Sequence, residues 1–488
     1  MKRILSTALA ATLLCLTASL SAQESDKAVS VKAVKRLNRA PVSHEVLQVK
    51  LPRPTEHKLS NGLTVLLLER HKLPTLNLSL WFDSSSLDDP KDLPGLSDFT
   101  ADMLREGTAR RTSKQLAQEV DSLGATLHAS SEYGASVSTV TASGFVEDAD
   151  KILDLMSDVV LHPSFPADEL DKYKKRQLAS LEEERSDPGF LGEERLYRAL
   201  YGSHPASVTS PTPESVKAVT PELLKQFHAQ HYAPNFALLG VVGDFDSKAM
   251  LALLEKYFGT WKPSTAKPAK VADVPAPSAP KIALVDRSDS VQTNILAAFM
   301  APPRRSPEYF PLRVMNRILG EGATGRLFLD LREEKSYTYG AYSGYYPDTY
   351  PRPLVANTEV RTNVTEPAFH DLLDEFRRMR EEPVSDGELD DARRGIVAGF
   401  ALSLERSAQL LDMWLRARHM QLGDDYWDNF PAQINKVTAA DVQRVAKTYL
   451  DPKHMQAVCV GNRKEIETGL KRFGTVEFYD ADGKKLDK

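Results

Sequence analysis

Cysteine is nearly absent from this sequence, which contains only Cys15 and Cys459 among 488 residues. Two cysteines can build neither a disulfide framework nor a cysteine-based zinc site, so both are excluded. An excess of basic residues is also missing, since 62 Lys and Arg stand against 67 Asp and Glu and give a net charge of −5. No Lys/Arg-dense stripe is present either, which argues against a nucleic-acid partner.

Several catalytic motifs are missing as well. The 11 histidines form neither His-Glu-x-x-His nor His-x-x-Glu-His, and neither a Gly-x-Ser-x-Gly elbow nor a phosphate-binding P-loop occurs. His228 and His231 have the spacing to share one helix face as metal ligands, but a helix end with one packed and one solvated imidazole is the simpler interpretation. The stretch 320–325 has the glycine spacing of a dinucleotide loop, yet it follows a predicted helix rather than a strand.

Residues 1–22 have the layout of a secretory signal peptide. A basic start and an apolar run over 4–20 precede small residues at Ser21 and Ala22. The run is short for a membrane span and rich in Ala, Ser and Thr, which favours cleavage over anchoring. We therefore expect a periplasmic protein with no membrane span in the mature chain, beginning with an extended N-terminal segment over 23–50.

The mature chain contains a sequence pattern that occurs twice. Short strings of the first half recur in the same order in the second half, between 215 and 219 residues further on. The pairs are Glu169-Leu170-Asp171 with Glu388-Leu389-Asp390, Val219-Thr220 with Val437-Thr438, Val241-Val242-Gly243 with Val458-Cys459-Val460-Gly461, and Phe258-Gly259-Thr260 with Phe473-Gly474-Thr475. A period this long excludes a solenoid and indicates an internal duplication that produced two homologous domains.

A stretch rich in Pro and Ala at 263–281 separates the two copies and is typical of a semi-rigid linker. We predict an N-terminal domain over 51–262 and a C-terminal domain over 282–488. Strand-like and helical patterns mix in both copies, which favours an α+β fold in which helices cover a mostly antiparallel sheet. Two such domains can face each other as a clamshell, with the cleft between them as the default binding site.

One segment of the first copy resembles the active-site helix of a known peptidase family. These inverted zincins include pitrilysin, insulin-degrading enzyme and mitochondrial processing peptidase, and their motif is Gly-Leu-x-His-x-x-Glu-His-Met-Leu, followed by Gly-Thr. Here the sequence reads Gly95-Leu96-Ser97-Asp98-Phe99-Thr100-Ala101-Asp102-Met103-Leu104, followed by Gly107-Thr108. The flanks match the motif, whereas Asp98 and Asp102 replace its two histidines and Ala101 replaces its general-base Glu.

The resemblance implies a scaffold that has lost its metal. Zinc hydrolysis needs neutral imidazole ligands and a carboxylate that accepts a proton from the metal-bound water, and Ala101 cannot accept one. The family's third ligand is a Glu, whose position falls on Ser180 when the following Asp-Pro is aligned. Asp98 and Asp102 could at most hold a hard cation weakly. We therefore expect that this chain binds no metal or other cofactor.

The second copy carries the other signature of the family. The segment 326–340 resembles a motif whose Arg and Tyr, seven residues apart, reach the substrate and the developing oxyanion. Arg332 and Tyr339 have that spacing, and a guanidinium and a phenol both donate well to a peptide carbonyl. If the family resemblance is set aside, Arg332 is expected to pair with a nearby Glu, and Tyr339 is one of several aromatic residues on a strand. A candidate substrate-contact loop precedes this motif and contains Gly320, Gly322 and Gly325.

These features predict a non-catalytic subunit of a heterodimeric zinc endopeptidase. The resemblance implies a homologous partner that bears the zinc, unstructured peptides as substrates, and Arg332 and Tyr339 as residues that assist the partner's site. The chain would then be inactive alone. Two alternatives stay open, namely a stand-alone peptide-binding or scaffold protein derived from an inactive peptidase, and an active metallopeptidase with carboxylate ligands.

Overall fold

The computed structural model describes residues 46–265 and 273–487. The predicted signal peptide, most of the predicted extended segment and the linker residues 266–272 lie outside the described residues. The chain from Leu47 onward forms one compact unit. None of the described helices combines the length and the apolar character that crossing a bilayer requires.

The first half of the chain builds a six-stranded sheet. Its strands are β1 (Thr55–Lys58), β2 (Thr64–Glu69), β3 (Thr75–Phe82), β4 (Thr126–Ser131), β5 (Ser138–Phe145) and β6 (Ala237–Gly243). They lie in the order β1-β2-β6-β3-β5-β4. Strands β2 and β6 are parallel, and all other neighbours in this sheet are antiparallel.

The second half repeats this arrangement. Its strands are β7 (Lys281–Asp286), β8 (Gln292–Ala301), β9 (Thr338–Tyr345), β10 (Arg352–Arg361), β11 (Gln456–Gly461) and β12 (Val476–Tyr479). They lie in the order β12-β7-β11-β8-β10-β9, so the last five positions match those of the first sheet. The outermost strand differs, because β1 precedes its neighbour in the chain whereas β12 comes from the C-terminal end and runs parallel to β7. The two sheets confirm the predicted α+β fold.

Helices cover both sheets. In the first half they are α1 (Leu96–Met103), α2 (Ser113–Ser122), α3 (Ala149–Leu161), α4 (Ala167–Glu184), α5 (Pro188–Tyr201), α6 (Pro213–Ala218), α7 (Pro221–His231) and α8 (Ser247–Phe258). In the second half they are α9 (Tyr309–Leu319), α10 (Arg326–Phe328), α11 (Thr365–Glu381), α12 (Asp386–Ser403), α13 (Ser407–His419), α14 (Tyr426–Lys436), α15 (Ala439–Tyr449) and α16 (Arg463–Leu470).

The repeated strings of the sequence mark equivalent helix starts. Thr220 and Thr438 are the N-caps of α7 and α15, and each side-chain oxygen accepts a hydrogen bond from a backbone N–H of the first turn. Glu388 closes a capping box with Ser385 at the start of α12. The repeated residues therefore mark the same structural positions in both copies.

The central strands are buried on both faces. Val65 and Leu67 of β2 pack into the core of the first half, whereas Leu66 and Leu68 pack into the larger core shared with the second half. Successive strand residues point to opposite faces, so a strand covered on both sides reads as an unbroken apolar run. The run Val65–Leu68 is such a signature.

Two helices cover the sheet of the opposite half. Helix α5 belongs to the first half but packs on β8 and β11, and helix α13 belongs to the second half but packs on β3 and β6. A glycine allows close approach at each crossing. A methyl group added to Gly192 of α5 would lie 2.5 Å from Leu296 Cδ1, and one added to Gly240 of β6 would lie 2.7 Å from Leu411 Cδ1.

This exchange makes a stability prediction at Leu411, whose side chain is 1% exposed on α13. Leu411→Ala should lower the free energy of unfolding by about 2–5 kcal/mol, because it opens a cavity where the helix crosses the sheet. Leu402→Ala on α12 is the control, since that side chain is 67% exposed and its loss should cost no more than about 0.5 kcal/mol. Equilibrium unfolding in urea measures both values, and equal losses would contradict the packing described.

Candidate functional site

Helix α1 carries the positions of the degenerate zinc motif, and Asp89 holds its first turn. The Asp89 carboxylate accepts hydrogen bonds from the backbone N–H groups of Gly95, at 2.7 Å, and Ser97, at 2.8 Å. Gly95 has a φ of 94°, a left-handed conformation that favours glycine. An added Cβ at Gly95 would also lie 2.6 Å from the Tyr133 hydroxyl oxygen. The backbone therefore requires this glycine whether or not a metal is bound.

The Gly-Thr pair after the helix also has a structural role. Gly107 has a φ of 148°, and an added Cβ would lie 2.9 Å from Pro166 Cγ. Thr108 Oγ1 donates a 2.7 Å hydrogen bond to Asp158, which also accepts one from Arg111 at 2.8 Å. Burial opposes the ionisation of Asp158, but these hydrogen bonds outweigh it and lower its pKa. The retained flanks of the motif are therefore scaffold residues.

The residues at the ligand and general-base positions of the motif are a buried alanine and two aspartates. Ala101 is completely buried. Asp102 accepts a hydrogen bond from the Tyr173 hydroxyl, which accepts one from Gln177 Nε2 at 2.8 Å. Sequence reasoning missed Tyr173 and Gln177, although their spacing of four residues on α4 places them on one helix face. Asp98 is half-buried and receives no hydrogen bond from another described residue.

Burial raises the pKa of three carboxyl groups around α1. Burial raises the pKa of Asp98 to about 8, and the nearby charges of Asp102 and Asp89 act in the same direction. Burial also raises the pKa of Asp89 to about 7, although its two backbone donors favour the ionised form. The pKa of Asp102 is raised by burial too, against the hydrogen bond from Tyr173.

The residues present at this position do not fit a catalytic zinc. Ser180, the expected position of the third ligand, lies on α4 and donates a 3.1 Å hydrogen bond to Glu184. Within residues 46–265 and 273–487, no group of three or more His, Cys, Asp or Glu side chains is placed to hold a metal ion. Metal ligands must also be deprotonated, whereas Asp98 favours its neutral form.

The two helical histidines are packing residues. His228 Nε2 lies 2.8 Å from the carbonyl oxygen of Val160, and its ring stacks on Tyr232 at 5.0 Å. Burial lowers the pKa of His228 to about 4. His231 stacks on Phe227 at 4.2 Å. Both imidazoles pack on aromatic rings, whereas the simpler interpretation expected one packed and one solvated imidazole.

Arg332 and Tyr339 line one cavity of about 740 Å³ in the second half. Arg332 lies in a π-helical turn, Leu329–Glu334, a feature often found at functional sites. Tyr339 lies on β9, the outermost strand, and is 90% exposed. In the described part of the chain, neither the guanidinium nor the phenol hydroxyl has a hydrogen-bond or ion-pair partner. The pairing of Arg332 with a nearby Glu, expected without the family, is not observed there.

Ion pairs fix the segment around this turn. Arg326 binds Glu388 through two hydrogen bonds of 2.7 and 3.1 Å. Burial opposes the ionisation of Glu388, but the hydrogen bonds from Arg326 and Ser385, together with the charge of Arg326, outweigh it and lower the pKa of Glu388 to about 2. Lys335 Nζ lies 3.0 Å from Asp330 and 2.7 Å from Asp371 of α11. Ion pairs thus anchor both flanks of the turn, whereas the Arg332 guanidinium between them stays free to bind a ligand.

The predicted substrate-contact loop is a tightly packed turn. An added Cβ at Gly320 would lie 2.6 Å from the backbone nitrogen of Ser343, and one at Gly325 would lie 2.6 Å from Gly320 Cα. Ser343 N–H also donates to the Gly320 carbonyl at 2.9 Å. Glu321 of this turn lines the cavity between the two halves. The substrate-contact role of the turn remains a prediction.

The cavity between the halves has a volume of about 850 Å³ and lies where the sequence predicts a cleft. Strands β3, β4 and β5 line it from the first half, and helices α9, α12 and α13 line it from the second. The degenerate motif positions and the Arg332/Tyr339 pair do not border it. One chain therefore keeps its degenerate zinc helix and its Arg/Tyr pair away from this shared cavity.

A duplicated α+β scaffold with these two signatures defines a peptidase-like protein, and comparison with family models identifies the family. The insulinase model, peptidase family M16, matches residues 64–213, and the model of the peptidase M16 inactive domain matches residues 218–396. Together they span about two thirds of the chain. The chain belongs to the M16 peptidase family, which confirms the resemblance found in the sequence.

Named relatives agree with this assignment over most of the chain. The uncharacterized zinc protease YmxG of Bacillus subtilis is 22% identical over 397 residues, which cover 79% of this chain and 92% of YmxG. The mitochondrial-processing peptidase subunit beta of Lentinula edodes is 25% identical over 438 residues, which cover 86% of this chain and 91% of that subunit.

Solved structures share the fold. The peptidase M16 inactive domain from Pseudomonas fluorescens is 27% identical, has a TM-score of 0.79, and covers 84% of this chain and 98% of its own. The periplasmic protease PqqL from Escherichia coli has a TM-score of 0.70 and covers 87% of this chain, which matches 49% of PqqL. At 16% identity, PqqL supports the fold alone.

The raised pKa of Asp98 predicts a pH-dependent stability. The folded state binds the proton up to about pH 8, whereas the unfolded chain ionises this carboxyl near pH 4, at about 3.9. Stability is therefore lost as the pH rises between these values. Asp98→Asn removes that loss, so its gain in Tm should be larger at pH 8 than at pH 5, by about 2–4 °C.

Asp92→Asn is the matched control, because Asp92 is exposed just before the same helix. Its effect on Tm should be the same at pH 5 and pH 8. Thermal melts of both variants by circular dichroism measure the difference. A gain for Asp98→Asn that does not depend on pH would show that the carboxyl is ionised in the folded state throughout this range.

Proposed function

We propose that this chain is the non-catalytic subunit of a heterodimeric zinc endopeptidase that cleaves unstructured peptides. A homologous partner would carry the zinc, which supplies the activated water. This chain would hold the peptide and direct Arg332 and Tyr339 to the carbonyl oxygen of the bond to be cleaved. The observation that carries the proposal is that both polar groups line one cavity without a partner among the described residues.

The chemistry of the two groups suits that task. A guanidinium and a phenol hydroxyl both donate hydrogen bonds, and neither needs to gain or lose a proton to do so near neutral pH. Donors that are already in position stabilise the oxyanion that forms when water attacks a peptide carbonyl. The anchored flanks of the turn fix the backbone on both sides of Arg332, which lowers the cost of ordering this segment when a ligand binds.

The exposed surface beside this cavity supports a macromolecular partner. Two large apolar side chains that line this cavity are exposed, namely Val291 in the turn before β8, at 81%, and Tyr339 on β9, at 90%. Grouped exposed apolar residues typically mark contact surfaces. Strand β9 has one strand neighbour, β10. At its other edge Ser343 N–H already donates to the Gly320 carbonyl, so we expect an added peptide strand to pair with the part of β9 before Ser343.

Export to the periplasm is part of the proposal. It is supported by the basic start, apolar run and small residues of positions 1–22. The name of the beta subunit from Lentinula edodes shows that a relative of this chain is a component of a larger peptidase. A stand-alone peptide-binding protein is the competing function, and it requires no partner.

Reconstitution separates these functions. The chain is purified from the periplasmic fraction, alone and together with a homologous subunit that bears His-x-x-Glu-His, and a flexible quenched peptide is the substrate. We expect no cleavage by the chain alone and chelator-sensitive cleavage by the pair. Cleavage by the chain alone that a chelator abolishes would refute the proposal, and tight peptide binding without any effect on the partner's activity would favour the stand-alone binder.

Substitutions in the pair test the assigned roles. Arg332→Ala and Tyr339→Phe should each lower kcat of the reconstituted complex by about 100-fold, because each removes one donor to the oxyanion. Arg361→Ala and Tyr342→Phe are matched controls, since Arg361 lines the same cavity and Tyr342 lies on the same strand. Both controls should keep most of the activity. Equal losses in all four variants, or loss of subunit association, would contradict a role in the reaction.

A further inference from the structure

The cavity between the two halves has the features of a second ligand site. Its volume of about 850 Å³ lies within the range of about 300–1,000 Å³ that small-molecule sites occupy. Aromatic side chains form much of its wall, namely Trp81, Tyr309, Tyr345, Tyr346, Phe400 and Phe430. Five arginines also border it, namely Arg304, Arg313, Arg317, Arg352 and Arg416.

The carboxylates of the wall do not neutralise all of these arginines. They are Glu132, Glu321, Asp348 and Asp412. Asp348 lies 3.9 Å from Arg352, and Asp412 lies 3.1 Å from Arg416. Glu321 pairs with Arg313. Within the described chain, Arg304 and Arg317 have no carboxylate partner, so three arginines share one carboxylate at this end of the cavity.

Arg304 is held by aromatic rings rather than by a charge. Its guanidinium carbon lies 3.9 Å from the ring centre of Tyr309, 5.5 Å from that of Tyr426 and 5.3 Å from that of Trp427. Nε donates a 2.9 Å hydrogen bond to the Tyr426 hydroxyl. The two terminal nitrogens make no hydrogen bond to another described residue, and Arg304 is one of the residues that line the cavity. A buried cation without an anion is costly, which makes this position favourable for an anionic ligand.

Arg317 lies in a space that two glycines leave open. A Cβ added to Gly322 would lie 3.2 Å from Arg317 Nη1, and a Cβ added to Gly395 of α12 would lie 3.1 Å from Arg317 Nη2. Nη1 donates a 2.6 Å hydrogen bond to the carbonyl oxygen of Glu321. The guanidinium is thus seated by the glycine-rich turn on one side and by α12 on the other, and it carries no counter-ion in the described chain.

Glu321 shows which anion the cluster accepts. Its carboxylate binds the guanidinium of Arg313 through both oxygens, with Nη2 to Oε1 at 2.7 Å. Burial lowers the pKa of Arg313, and the charges of Arg304 and Arg317 also act in this direction. The fork of an arginine matches a carboxylate in this side-by-side geometry. The cluster holds one carboxylate from the protein itself and still has an excess of positive charge.

We infer that this cavity binds a small organic ligand through a carboxylate, with Arg304 and Arg317 as donors and the aromatic wall around an apolar side chain. The free C-terminal residue of a short peptide has this chemistry. Glu321, on the glycine-rich turn, acts as an internal competitor for the same arginines. The inference concerns a different cavity from the Arg332/Tyr339 pair and does not depend on the proposed peptidase function.

Calorimetric titration of the purified full chain tests this site. The probes are N-acetylphenylalanine, its amide, which lacks the negative charge, and inorganic phosphate, which lacks the apolar group. We expect the acid to bind at least about tenfold more tightly than either of the others, because charge-assisted hydrogen bonds and aromatic contacts are both needed. Equal affinity for the amide, or tighter binding of phosphate, would overturn the assignment.

Variants with opposite expected effects complete the test. Arg317→Gln should weaken binding of the acid by about tenfold, whereas Glu321→Gln should tighten it by removing the internal competitor. Arg377→Gln is the control, because Arg377 lies on the exposed side of α11 outside the cavity. Circular dichroism confirms that each variant is folded. Unchanged affinity in Arg317→Gln, or weaker binding in Glu321→Gln, would overturn the inference.

Discussion

The exchange of helices between the two halves is the constraint on which the rest of the structure depends. Helix α13 is covered by the first sheet and α5 by the second, so neither sheet is complete without the opposite half. Helix α13 also lines the central cavity through Asp412, Arg416 and His419. His419 lies 3.1 Å from Asp83 and 2.8 Å from Ser136 of the first half. The helix that completes the core thus also fixes one wall of the cavity.

The needs of the fold also explain which residues of the zinc motif remain. Gly95, Gly107 and Thr108 are held by backbone conformation, steric contact and a buried hydrogen bond, and losing them would cost stability. Asp98, at a ligand position of the motif, and Ala101, at its general-base position, make no comparable contacts, and the helix stays in place with these residues. Fold and catalysis depend on different residues of one short segment. The fold can therefore be retained when the catalytic residues are lost.

Sequence reasoning found the elements that local signals specify. The mixed strand-like and helical patterns and the repeated strings predicted the α+β fold and its two copies. It could not find that β6 lies between β2 and β3, because that pairing joins residues more than 150 positions apart. The cavity arginines were missed although Arg313 and Arg317 share one face of α9, since an arginine pair on a helix usually faces solvent. The free state of Arg332 likewise depends on tertiary anchors.

The matching positions of α5 and α13 have a consequence for the origin of the chain. A protein with one sheet and one such helix would expose both an uncovered sheet face and an apolar helix. Two identical copies would bury both the sheet face and the apolar helix by exchanging helices in a symmetric, domain-swapped homodimer. Joining two such copies end to end would preserve the swap within a single polypeptide. Duplication and fusion of the gene for such a dimer would therefore require no new interface.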